Sequence, residues 1–189
     1  PERPTAGKEW PGIPFCFDGA MRDTPRSPII RQTLEQIARR ARSYPQTALT
    51  TLCHHIDVEM LTEAFFSLKR NSAAGIDKVT WRQYKKTLQE NLSDLHQRLK
   101  SGTYRAQLSR RVWLDKENGK KRPIAIAVLE DKIVERAEVM LLEAVYEGDF
   151  YPFSFAFRRG RNQHQALKHF RDICMEGNEC WIVDVDLKG

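Results

Sequence analysis

Between Arg110 and Ala127 the chain runs through two short alternating stretches, Arg110-Arg-Val-Trp-Leu114 and Arg122-Pro-Ile-Ala-Ile-Ala127. They are joined by Asp115-Lys-Glu-Asn118-Gly119-Lys-Lys121. Asn-Gly between alternating runs is a strong short-range signal for a β-hairpin, because both residues tolerate the positive φ that a tight hairpin turn demands. Around it the apolar residues recur at three- and four-residue steps, which is the period of a helix. Ile30, Leu34, Ile37 and Ala41 predict a helix over about Ile29 to Tyr44, with Arg39, Arg40 and Arg42 at the end where cations suit the dipole. Val58, Leu61, Ala64, Phe65 and Leu68 predict a second, from Asp57 to Lys69, with Asn71-Ser-Ala-Ala-Gly75 as the loop that follows. Thr80 and Gln83 have the spacing of a capping box and open a long helix to about Lys100. Its stripe is Tyr84, Leu88, Leu92, Leu95 and Leu99, and Gly102 closes it.

Beyond the hairpin, Ile133, Val134, Ala137, Met140, Leu141, Ala144 and Val145 predict a helix from about Glu130 to Tyr146, stopped by Gly148. Asn162 can cap another, to about Glu176, with Leu167, Phe170 and Cys174 at helical intervals. Trp181 to Leu187 reads as a strand, with Trp181, Val183, Val185 and Leu187 on one face and Ile182, Asp184 and Asp186 on the other. The expected fold is therefore α+β, a helix-rich body bearing one β-hairpin and a late strand.

Composition excludes several classes. The 189 residues are 30% charged and 41% hydrophobic, enough apolar surface for one sizeable core or two small ones. No apolar run approaches the roughly 20 residues needed to cross a bilayer, and the start lacks a secretory pattern. The expectation is an intracellular, cytoplasmic protein with no membrane partner. Pro1 to Pro28 holds six of the nine prolines and no apolar period, so it reads as a loose arm. Cys16, Cys53, Cys174 and Cys180 contain no C-x-x-C pair and read as reduced, mostly buried thiols. His54 and His55 are adjacent, so a regular element points them apart; they receive no function.

Charge is unevenly placed. From Arg98 to Arg122 there are nine basic residues against the two acids Asp115 and Glu117, a net of +7 where the whole chain carries +6. Tyr104 and Trp113 are interleaved with these cations, a pattern suited to a phosphate backbone. Arg158-Arg159-Gly160-Arg161 repeats the signal. A solvated hairpin with scattered lysines is the plain alternative.

Asp184 and Asp186 would sit about 7 Å apart on one face of a strand, too far to grip one ion equally. One metal ligand with a neighbouring acid is the more sensible arrangement, and an inert sheet edge is as good a reading on spacing alone. Lys116 and Arg122 flank the hairpin turn, where they could neutralise a triphosphate or serve only solubility.

Taken in order, Ala74-Gly-Ile-Asp-Lys-Val-Thr-Trp81, Gly102-Thr-Tyr-Arg105, Arg110-Arg-Val-Trp-Leu-Asp-Lys116, Gly119-Lys-Lys-Arg-Pro-Ile-Ala-Ile126, Leu129-Glu-Asp-Lys-Ile-Val134, Ser154-Phe-Ala-Phe-Arg158, Gly160-Arg161, His164-Gln-Ala-Leu167 and Asp184-Val-Asp-Leu-Lys-Gly189 closely resemble the fingers and early palm of group II intron-encoded reverse transcriptases. The resemblance runs from about Asp57 to Gly189. It implies an RNA-directed DNA polymerase that usually doubles as an intron maturase. The implied organisation is an N-terminal extension over 1–45, fingers over 46–160 and the start of a palm over 161–189.

The resemblance also implies site residues. Asp186 matches the catalytic aspartate that binds magnesium, two such ions being expected in the complete enzyme, while Asp184 matches a more variable neighbour. Lys116 and Arg122 match positions that contact the incoming nucleotide. Arg158, Gly160 and Arg161 match the template path, and Arg105, Arg110 and Arg111 belong to the basic segment expected to hold RNA. His164 also matches the pattern. The implied partners are template or intron RNA, a DNA primer and dNTP, with a homodimer as a further candidate.

The departures from the family pattern are Ala125 and Ala127 in the second strand run, Ala156 where the family has Gly, and Arg159 where it has Pro. No Phe-Phe-Asp follows Gly189 and no Asp-Asp dipeptide occurs in the chain. The expectation is an N-terminal piece of a longer polymerase, or a natural truncation, that alone binds RNA without extending a primer. The other reading is an RNA-binding splicing-assistance module whose polymerase features are vestigial. Retron or diversity-generating reverse transcriptases are a third, less supported by Gly75-Ile-Asp77.

Overall fold

The computed structural model describes residues 27–44, 46–115, 119, 121–177 and 181–185. The chain divides at Gly148 into two compact units, a larger one over 22–148 and a smaller one that takes in 149–189, each described by itself.

The larger unit is a helical core bearing a hairpin. Helix α1 spans Pro28–Ser43; proline at its first position gives up no needed N–H, and the Ser27 hydroxyl accepts from the Ile30 N–H at 3.4 Å. Helix α2, Val58–Ser67, is capped by the Asp57 carboxylate, which accepts from the Met60 N–H at 2.7 Å. The two N-termini are tied together, since the Ser27 N–H donates to Glu63 Oε2 at 3.3 Å and its hydroxyl donates to Glu59.

Thr80 and Gln83 form the capping box that their spacing predicts, but the helix they open is not continuous. Helix α3 is only Trp81–Tyr84, a 3₁₀ turn covers Lys85–Thr87, and helix α4 runs Leu88–Lys100. Thr87 leaves helical geometry at φ −121°, ψ 37°. The Asn91 side-chain amide stabilises the break by donating to the Tyr84 carbonyl at 3.2 Å and to Thr87 Oγ1 at 3.0 Å. Gly102 ends α4 at φ +69°, where its N–H and that of Thr103 donate to the carbonyls of Leu99 and Arg98.

Helix α5, Leu129–Tyr146, packs against α1 and α2, and α2 also packs against α4. Met60, Leu61, Phe65, Leu92, Leu95 and Ile133 are fully buried among them. Trp81 stacks on Phe65 at 4.7 Å between ring centroids, and its indole N–H donates to the Phe65 carbonyl at 3.2 Å. Strands β1 (Arg110–Asp115) and β2 (Lys121–Ile126) form an antiparallel pair, with Arg110 opposite Ile126 and Asp115 opposite Lys121. Gly119 in the connection has φ +72°.

In the smaller unit, helix α6 covers Gln163–Glu176 behind a capping box of Asn162 and Gln165. None of its side chains is buried, and Leu167 and Phe170 are exposed.

Three expectations are corrected. Residues 181–185 make no strand ladder and are exposed on both alternating faces, because alternation gives a strand its faces but not a partner. Cys53 and Cys174 are free as expected, yet exposed rather than buried; Cys16 and Cys180 lie outside the described residues. The His54 and His55 rings are not splayed apart but lie 3.8 Å from each other on a 3₁₀ turn. Among the described residues no helix is long and apolar enough to cross a membrane.

Candidate nucleic-acid interface

The hairpin register assigns every cation of the two strands to a face. Arg111, Trp113 and Asp115 share one face with Lys121, Pro123 and Ala125; Arg110, Val112 and Leu114 share the other with Arg122, Ile124 and Ile126. The first face is open, with Trp113 54% exposed between Arg111 and Lys121. Val112, Ile124 and Ile126 on the second are half-buried, so this face leans towards the protein at its base while Arg122 stays exposed near the turn. Lys116, expected beside Arg122 in nucleotide contact, lies outside the described residues.

Arg110 has a specific structural partner. Its Nη2 donates to the Ala74 carbonyl at 3.0 Å, and Lys132 Nζ of α5 donates to the neighbouring Ala73 carbonyl at 2.7 Å. The loop between α2 and α3 is thus fastened to both the hairpin and α5. Gly75 is buried in that loop because a Cβ there would lie 2.6 Å from Val128 Cα, so only glycine allows the two backbones to approach. Lys78 follows at φ +58°, a left-handed conformation that a lysine adopts at a cost.

A second fastening sets the base of the hairpin. Asp131, only 6% exposed, accepts the Tyr104 hydroxyl on Oδ1 and the Gln107 N–H on Oδ2 at 3.1 Å. Next to it, Arg98 Nη2 donates to Glu130 Oε2 at 2.9 Å, its Nε donates to Asp94 at 2.7 Å, and its guanidinium lies 5.9 Å from the Tyr104 ring centroid. Burial, reinforced by the Asp131 hydrogen bond and charge, pushes the Tyr104 hydroxyl well above the ordinary tyrosine range. Burial and then Glu130 do the same to Tyr84, whose hydroxyl donates to Glu130 at 3.4 Å. Arg105 curls back, its Nη1 donating to the carbonyls of Gly102 at 3.1 Å and Tyr104 at 2.8 Å. Its remaining guanidinium nitrogens leave donors for a ligand.

In the smaller unit the Arg158 guanidinium turns inward. At 8% exposure, its Nη1 donates to the carbonyls of Tyr151 at 2.8 Å and Ser154 at 2.7 Å, and it lies 5.0 Å from the Phe150 ring centroid. The residue thus holds its own loop in shape. Gly160 takes φ +70°, and Arg161 stands 5.5 Å from the Phe155 ring centroid. Phe157, at φ +57°, is fully exposed at the loop's tip. His164 is exposed at the start of α6. Asp184 is exposed, while Asp186 lies outside the described residues. Among the described residues no three His, Cys, Asp or Glu side chains converge on a metal position, so the magnesium expectation rests on Asp186.

Several of these contacts had no signal in the sequence. Arg110 and Arg111 are equivalent in the sequence, and only the register and the Ala74 contact separate the anchored cation from the one on the open face. Asp131 sits where any acid would suit the first turn of a helix, so its burial was hidden behind a common preference. The close approach of Gly75 to Val128 was flagged only by the glycine itself.

No protein-family model matches the chain. It is 33% identical over 166 residues to Protein YkfC of Escherichia coli strain K12, covering 84% of this chain and 44% of that protein. It is 38% identical over 102 residues to the group II intron-encoded protein LtrA of Lactococcus lactis subsp. cremoris, covering 53% of this chain and 17% of LtrA. It is 28% identical over 167 residues to an uncharacterized 91 kDa protein in the cob intron of Schizosaccharomyces pombe, covering 86% of this chain and 20% of that protein. The chain therefore spans less than half the length of each of these relatives. Over the part of their length that it spans, the chain is thus homologous to group II intron-encoded proteins.

Proposed function

We propose that these residues form the fingers and the beginning of the palm of an RNA-directed DNA polymerase of the group II intron type, which also assists splicing as a maturase. The observation that carries the reading is the open face of the hairpin, where Trp113 stands exposed between Arg111 and Lys121 on a strand pair anchored at its base by Arg110. Cations on such a face neutralise phosphates, and an exposed indole offers a base a stacking surface. Arg122, on the other face and near the turn, is suited with Lys116 to the phosphates of an incoming dNTP. Arg161 and Gly160 would border the template, with Arg158 as the residue that shapes their loop. Arg105 adds donors at the foot of the hairpin.

Asp186 would hold magnesium with acids of the complete palm; bound magnesium supplies charge neutralisation at the transferred phosphoryl group. This chain's own residues bind the template and align the nucleotide against the primer end, the positioning that phosphoryl transfer most depends on. The working environment would be the interior of the cell, with intron RNA, a DNA primer and dNTP as partners.

Fluorescence anisotropy of a labelled RNA across a salt series tests the reading. Arg111→Glu is expected to lower the slope of log K against log salt by about one, and Trp113→Ala to weaken binding by about 1–3 kcal/mol. Unchanged slope and affinity in both would contradict the assignment. In the complete polymerase, Arg122→Ala is expected to raise the KM for dNTP while RNA affinity holds, and Asp186→Ala to abolish primer extension.

A further inference from the structure

The larger unit carries a concentration of positive charge away from the hairpin strands. Between residues 69 and 86 stand Lys69, Arg70, Lys78, Arg82, Lys85 and Lys86, all exposed, against the single acid Asp77. The Asp77 carboxylate is engaged with its own backbone, accepting from the Val79 N–H at 3.1 Å. None of the six cations forms an ion pair among the described residues.

The fold draws these cations together. Arg70 lies 5.5 Å and Lys85 5.3 Å from the centroid of the Trp81 ring, so the turn after α2 and the turn after α3 meet at one indole. Lys85 and Lys86 lie three and four residues after Arg82, so each is a neighbour of Arg82 on the helical surface. Lys78 is offered by the strained left-handed turn just before α3. Lys85 follows Trp81 by four residues in helical geometry, the step that brings two side chains together.

We infer that this face is a second binding surface for the phosphate backbone of RNA, separate from the open face of the hairpin. Unneutralised cations at this density have their strongest use in releasing counterions from a polyanion. A protein partner or a lipid surface would call for apolar anchors, and Ile76 is the one large apolar side chain of residues 69–86 that stands exposed, at 51%. The α2–α3 loop, fastened to Arg110 and Lys132, joins the two surfaces and keeps the face in a fixed place beside the hairpin's base. A structured RNA could then be gripped at two points, which would raise affinity by linkage without any new chemistry.

The inference rests on the RNA-binding reading above, and the experiment separates the two. The double variant Arg82→Glu with Lys86→Glu avoids the residues on Trp81, and the milder Arg82→Gln with Lys86→Gln guards against a folding defect, both checked by thermal melting. RNA affinity is measured by anisotropy in a salt series, alone and combined with Arg111→Glu. The expected result is a salt slope lowered by about two in the glutamate double variant, adding to the loss from Arg111→Glu, with the glutamine pair weakened in the same direction. A wild-type slope in the folded double variants, with Arg111→Glu still harmful, overturns the second surface and leaves the hairpin assignment standing. Loss of binding to anionic vesicles with RNA binding intact also overturns it. Failure of the unmodified chain to bind RNA at all would remove both.

Discussion

Gly75 and Lys78 lie three residues apart and obey opposite constraints. At Gly75 space is the limit, since any Cβ would press on the Val128 backbone, so Gly75→Ala is expected to destabilise the chain by about 1–3 kcal/mol in urea unfolding. At Lys78 the backbone is the limit, because φ +58° is costly for a side chain and free for glycine. Lys78→Gly should therefore stabilise the chain by roughly 1 kcal/mol, seen as a higher urea midpoint, while removing one cation from the α3 face. A drop in stability would show that the lysine side chain repays the strain. The sequence makes Gly75 visible as a glycine and hides Lys78 completely, since composition carries no sign of φ. Arg158 is hidden in the same way: a run of arginines reads as surface charge, and only the carbonyls of Tyr151 and Ser154 reveal that this one supports its loop from inside.

Helices were legible because their information is local. Caps at Thr80 and Asn162, the stop at Gly102 and the stripes of α4 and α5 all lie within a few residues of what they control. The break in the predicted 80–100 helix was not legible, because it depends on where the Asn91 amide finds its carbonyl. Nor was the clasp of Tyr104 and Gln107 on Asp131, which joins segments 24 and 27 residues apart. Asp131→Ala would leave the half-buried Tyr104 hydroxyl and the Gln107 N–H without their acceptor, a loss of about 1–2 kcal/mol. Asp94→Ala, which removes the more exposed partner of Arg98, should cost well under about 1 kcal/mol. Equal losses in thermal melts would mean that the clasp does not fix the segment leading into β1.

The same elements predict a pH dependence. Tyr84 and Tyr104 have raised hydroxyl pKa values in the fold, so the native chain keeps protons that the unfolded chain releases above an ordinary tyrosine pKa of about 10. Their contribution to stability is complete below that pH and declines as pH rises beyond it. Tyr84→Phe with Tyr104→Phe is expected to flatten the alkaline limb of a stability–pH curve relative to the parent chain. An unchanged limb would mean that neither hydroxyl is held as the hydrogen bonds indicate.

For the whole molecule, sequence and structure divide the work. Periodicity foretold a helical body with one hairpin, and charge foretold which segment would be basic. The structure separates the cations by task, with Arg110 and Arg158 holding backbone, Arg98 bridging Glu130 and Asp94, and Arg111 and Arg122 facing out on opposite sides of the hairpin. The pairing of residues 181–185 was beyond local pattern, as a strand is completed by a partner that its own alternation does not specify. Under the function proposed above, which similarity to group II intron-encoded proteins supports, these surfaces share one purpose, the binding of RNA. Photo-cross-linking of bound RNA to the chain, followed by mass spectrometric mapping of the modified peptides, tests that purpose most directly. The account predicts salt-sensitive cross-links in the hairpin, at Trp113 above all, and further ones around Arg82. Cross-links that avoid residues 110–126, or that persist unchanged when Arg111 is replaced by Glu, would contradict it.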